Sequence, residues 1–192
     1  MGVANLRTDE TWTEQKVMQL TRDEVLELWG ECPAVDMAEL YGEYKGLIPN
    51  AGDEEAQKAA AKTMYNEDGP LGYWLGKAYS PLSHSKGDGY NCWRRPGGNV
   101  ERYMRFATEM GASLIDGKPA LMMYYGAYKH RFVGEGKQNG LVDEIRKLAD
   151  GVYLGVGTGE KADGTRTTPG HFALVGPTGK FLAADDATEE LI

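Results

Sequence analysis

The chain has 192 residues, 41% of them hydrophobic and 10% aromatic, enough for one domain that buries roughly 70% of the surface its unfolded form exposes. Its formal charge of −8 with only 21 Lys and Arg argues against nucleic-acid binding and against an anionic membrane surface, because both need clustered basic residues. No apolar run approaches the ~20 residues of a spanning helix, and the start MGVANLRTDETWTEQ has no signal-peptide core, so a cytoplasmic protein is expected. Leu6 stands where a myristoylation signal needs Ser or Thr, which sets that modification aside.

In chain order, residues 1–20 are polar and read as a flexible arm, leaving 21–192 as a single domain. The run TRDEVLELWG predicts a helix over 21–29: Thr21 and Glu24 form a capping box, Val25, Leu28 and Trp29 share a face, and Gly30 ends it. After a short strand at 40–48, DEEAQKAAAKTM predicts a second helix over 53–64, capped by Asp53 and with Ala56, Ala60 and Met64 aligned.

From Leu71 the period changes to two. LGYWLGKAY, GYNCWRR, NVERYMRFATEM, PALMMYYGAY, LVDEIRKL, VYLGVG, HFALVG and KFLAA are short, aromatic or β-branched, and bounded by turn residues. These are eight strand candidates, nine with residues 40–48. Asp-Gly pairs at 68–69, 88–89, 116–117, 150–151 and 163–164 supply turns for antiparallel hairpins. So many strands in one sheet leave two edges unless the sheet closes, which predicts a mainly β, antiparallel barrel with two short flanking helices, the second placed to cap one end.

The glycine-dense stretch GLVDEIRKLADGVYLGVGTG is not a phosphate loop. Counted from Gly155, Glu160 falls where a P-loop needs glycine, and no helix pattern follows to complete a dinucleotide fingerprint. It reads instead as a hairpin turning at Asp150-Gly151. Alternation puts Val142, Glu144, Arg146 and Leu148 on one face and Leu141, Asp143, Ile145 and Lys147 on the other. Glu144 and Arg146 are either a charged pair inside the barrel, able to orient a polar ligand head or move a proton, or a solvated surface pair. Val142 and Leu148 beside them favour the interior.

Among the other strands, alternation sets Arg102, Met104 and Phe106 opposite Glu101, Tyr103 and Arg105, and divides PALMMYYGAY so that Met122 and Tyr124 oppose Met123 and Tyr125. The histidines His84, His130 and His171 show no metal-pair spacing, so no metal or other cofactor is expected. His171 opens an apolar strand at a barrel rim, where a titratable ring could meet a ligand. No serine lies in a nucleophile elbow. Cys32 and Cys92 have no partner-like spacing and read as free thiols.

The Gly42-Glu43-Tyr44-Lys45-Gly46 stretch, Trp74-Leu75-Gly76-Lys77 and the ladder to HFALV together resemble lipocalin-type or calycin-type barrels. They also resemble small uncharacterised bacterial proteins with glycine-x-tryptophan-x-glycine elements. Tyr44 stands where such proteins often carry tryptophan, and the helix over 53–64 follows the motif directly. The resemblance implies an end-capped barrel holding a small hydrophobic or amphipathic molecule, with Tyr44, Trp74, Lys77, Tyr103, Arg105, Met122, Tyr153 and His171 as ligand-binding candidates. Some such barrels have acquired isomerase, cyclase or hydratase activity, which gives the alternative expectation of a cofactor-independent isomerase, cyclase or hydro-lyase. Glu144 would then move a proton, Arg146 hold an oxyanion and Tyr124 donate a hydrogen bond.

Overall fold

A computed structural model describes residues 11–49, 54–129 and 140–185. The chain forms helices α1 (Glu14–Gln19) and α2 (Arg22–Trp29), strand β1 (Gly42–Leu47), helix α3 (Glu54–Met64) and strands β2 (Tyr65–Asn66), β3 (Gly72–Pro81), β4 (Lys86–Arg94), β5 (Val100–Ala112), β6 (Pro119–Tyr124), β7 (Val142–Ala149), β8 (Val152–Thr158) and β9 (Gly170–Gly179). All neighbouring strands are antiparallel. The order runs β1-β9-β8-β7-β6-β5-β4-β3, and β1 pairs back onto β3, so eight strands close a barrel. The ninth, β2, pairs with β3 at Tyr73, beyond the point where β1 leaves it.

Local chemistry accounts for the helices. Thr21 and Glu24 make the expected reciprocal cap of α2, and Val25, Leu28 and Trp29 are buried beneath it. Residues 14–19 are helical too, capped by Thr13 and docked through the buried Val17, so the expected arm does not extend through them; residues 1–10 lie outside the described residues. With Val17 and Leu20 as its apolar anchors, this helix carries too little periodicity to stand out from a polar tail. Helix α3 forms where expected, and Asp53, read as its cap, lies outside the described residues.

Asp116-Gly117 and Asp150-Gly151 turn the β5–β6 and β7–β8 hairpins, each glycine at φ 72°. Asp88-Gly89 was expected to turn and does not: it lies within β4. Gly89 is there for space, since a Cβ would stand 2.3 Å from the Phe106 ring. The strand expected over 180–184 is absent. β3 and β4 already have partners on both sides, so the tail adds no strand and instead sets the Phe181 ring centroid 4.9 Å from that of Tyr90 and donates from the Asp185 N–H to Arg102 O.

Two apolar layers result. Inside the barrel pack Tyr44, Tyr79, Phe106, Ile145, Tyr153 and Phe172 with their neighbours. Outside β6–β9, Val17, Val25, Leu28 and Trp29 from α1 and α2 cover Met122, Val142, Leu154 and Val156. One barrel end is filled by Met37, Leu40 and the edge-to-face rings of Tyr44, Tyr79 and Tyr153. At the other end the lumen stays partly open beneath α3.

Candidate functional site

A cavity of about 350 Å³ occupies that second end, within the ~300–1,000 Å³ range of ligand pockets. Ile48, Pro49, Met64, Trp74 and Phe172 give it apolar walls, Lys77 and Asp143 line it more deeply, and Arg22, Thr168 and His171 also border it. Glycines make the room. Gly46 and Gly155 lie where a Cβ would come within 2.4 and 2.3 Å of the Trp74 and Phe172 rings, and a Cβ at Gly157 would come within 2.5 Å of Asp143 Oδ1.

Strand irregularities aim the polar groups. A register shift between Trp74 and Gly76 lets both Trp74 and Lys77 face the lumen. A second shift lies opposite Met104, which sits at φ 56°. It brings Tyr103 and Phe106 to the same side, where simple alternation opposes them. The chain then leaves β6 in a 3-10 turn over Tyr125–Ala127, placing the buried Tyr125 in the lumen.

The result is a closed hydrogen-bond network. Lys77 Nζ lies 2.8 Å from Asp143 Oδ2, donates to Asn91 Oδ1 at 2.9 Å and also donates to the Tyr125 hydroxyl. Tyr125 donates to Asp143 Oδ2 at 2.8 Å. Asn91 Oδ1 accepts from Trp74 Nε1 at 3.0 Å, and its Nδ2 donates to Met104 O and to the Tyr125 hydroxyl, both at 3.1 Å. The rings of Trp74, Phe106, Tyr125 and Phe172 stand 5.2–5.8 Å from the ammonium nitrogen, close enough for cation–π attraction.

Burial lowers the Lys77 pKa while the Asp143 charge opposes that shift. Burial, followed by the Asp143 charge, raises the Tyr125 hydroxyl well above its ordinary value. Burial and then Arg22 bring the His171 ring down to about 4, and among the described residues neither of its nitrogens has a hydrogen-bond partner. The arrangement offers a buried polar anchor in which a proton can pass between an amine and a carboxylate.

No family model matches the chain, and no curated protein matches it. The fold has a solved counterpart. A crystal structure of a protein from Thermomonospora curvata superimposes with a TM-score of 0.52 at 18% identity, over 84% of this chain and 96% of that one. At that identity the similarity concerns the fold alone.

Of the residues singled out from sequence, Trp74, Lys77 and His171 border the cavity. Tyr44 and Tyr153 are in the lumen at the filled end, and Tyr103 stacks on Trp93. Arg105 pairs with Asp88 and lies over the Tyr128 ring. Met122 belongs to the outer layer under the helices, and Tyr124 is exposed.

The expected inward face of β7 is reversed. Asp143 and Ile145 point into the lumen, whereas Glu144 and Arg146 point outward and are buried only because other chain segments cover them. Arg146 pairs with Asp116 at 2.6 Å and donates to the carbonyls of Trp29, Lys118 and Pro119. Glu144 accepts from the Leu114 N–H. The acid–base roles drawn for Glu144, Arg146 and Tyr124 therefore have no place at this cavity.

Asp143, Asn91 and Tyr125 were not singled out. Asn91 carried a signal, as an uncharged polar residue amid the aromatic run GYNCWRR; Asp143 and Tyr125 were hidden by face assignment. Among the described residues, no group of three or more His, Cys, Asp or Glu side chains is placed to hold a metal ion, and no helix is long and apolar enough to cross a membrane.

Proposed function

We propose that the protein binds a small, largely apolar or amphipathic molecule in the cavity beneath α3. The observation that carries this reading is the cavity itself, about 350 Å³ with aromatic and aliphatic walls and the Lys77–Asp143 ion pair deep within it. Apolar walls supply most of the binding free energy through burial, and the few polar groups fix orientation. A kinship with lipocalin-type or calycin-type barrels belongs to the same proposal, and eight-strand closure supports it.

Native mass spectrometry of freshly purified protein, together with titration of an apolar fluorophore such as anilinonaphthalene sulfonate, tests the reading. Ala60→Trp, which fills the cavity from α3, should weaken fluorophore binding at least about tenfold, ~1.4 kcal/mol, while leaving the circular dichroism unchanged. Equal binding by the variant, with no copurifying molecule, would remove the cavity as the binding site.

A further inference from the structure

Lys77 is a primary amine held where an apolar ligand would end. Its side chain is 3% exposed, yet it lines the cavity together with Asp143. A lysine becomes a nucleophile when it gives up its proton, and desolvation in an apolar pocket favours that loss. Here a proton acceptor is already in contact: Asp143 Oδ2 lies 2.8 Å from Nζ. The same carboxylate oxygen accepts from Tyr125, and Asn91 holds the amine from another side, so the nitrogen is fixed in position rather than free to swing. The lowered Lys77 pKa agrees with this geometry.

We infer that Lys77 captures an aldehyde or ketone group of the bound apolar molecule as a reversible imine, with Asp143 as its proton acceptor and then its counter-ion. The inference rests on the cavity being a binding site. Lys77 passes a proton to Asp143, and the freed electron pair forms a C–N bond to the carbonyl carbon. The carbonyl oxygen takes a proton from the nitrogen, giving a neutral carbinolamine. Asp143 then returns its proton to the departing hydroxyl, water leaves, and a protonated C=N bond remains beside the carboxylate. The charge is the same before and after, because one cation replaces another next to Asp143, and no oxidant or reductant takes part. The surrounding aromatic faces favour the iminium as they do the ammonium.

Incubation of the protein with naphthaldehyde and cyanoborohydride, which reduces an imine to a stable secondary amine, tests this. Peptide mapping should place the adduct on Lys77, formed at least about tenfold faster than on any other amine of the chain. Lys77→Arg, which keeps a cation beside Asp143, should lack that adduct, and Asp143→Asn should form it about a hundredfold more slowly. Naphthaldehyde binding is measured in parallel without reductant, by displacement of the fluorophore. Binding with adducts spread over surface lysines and no preference for Lys77 would overturn the imine while leaving the binding site standing. Absence of both naphthaldehyde and fluorophore binding would overturn the two together. Should either variant fail to fold, the map of the unaltered protein decides alone.

Discussion

Lys77 Nζ and Asp143 Oδ2 lie 2.8 Å apart on β3 and β7, strands that are not neighbours in the sheet, so this ion pair crosses the barrel lumen. Removing one member leaves a buried charge without its partner, which costs on the order of 3–5 kcal/mol. Lys77→Met and Asp143→Leu should each lower the urea midpoint strongly, and the double variant should be more stable than the sum of the two losses implies. Strictly additive losses would show that the two groups are uncoupled.

Arg146 makes a second contrast with its neighbour on the strand. It is fully buried against Asp116 and three backbone carbonyls, whereas Lys147 pairs with Glu39 and Asp150 near the surface. Arg146→Met should cost about 3–5 kcal/mol and Lys147→Met under about 1 kcal/mol. Fluorophore affinity of the folded Arg146→Met protein should be unchanged, since this side chain points away from the cavity.

His171 supplies a pH dependence whose sign follows from its environment. Its folded pKa, about 4, lies below the ~6.5 of an unfolded chain. Its contribution to stability is therefore fully present above the unfolded value and is lost as pH falls through the folded one. Between pH ~6.5 and ~4 the unaltered protein should lose more stability than His171→Gln, measured by urea unfolding at several pH values. Parallel losses would place the ring in water.

Gly46 and Gly170 separate crowding from mere glycine content. A Cβ at Gly46 would stand 2.4 Å from the Trp74 ring, while at Gly170 the nearest atom is 3.8 Å away. Gly46→Ala should lose about 1–3 kcal/mol through overpacking and weaken fluorophore binding as Trp74 is displaced. Gly170→Ala should stay within about 0.5 kcal/mol. Melting curves with matched ligand titrations check both.

The two thiols should differ in access. Cys92 is buried, and that burial, followed by the Glu43 charge, pushes its pKa up; Cys32 is only partly buried. A thiol reagent should modify Cys32 in the folded protein and Cys92 only on unfolding, without prior reduction. Simultaneous modification would indicate that the β4 region opens readily.

The sequence by itself determined most of the strand ladder, the α2 capping box and the hairpin turns at Asp116-Gly117 and Asp150-Gly151, because each is a local signal: a period of two, a cap three residues from its partner, a glycine able to take positive φ. It also marked Trp74, Lys77 and His171 as candidates near the cavity. Tertiary structure decided which face of each strand is the lumen. Period-two reading depends on contrast between an apolar and a wet face, and α1 and α2 erase that contrast by covering the outside of β6–β9. Val142 and Leu148 thus suggested an interior that in fact holds Asp143. The bulge beside Met104 and the shift between Trp74 and Gly76 then moved side chains across faces, which alternation does not register. Closure did the rest, setting Lys77 beside an aspartate 66 residues further along the chain as two distant strands came to face one another across a lumen.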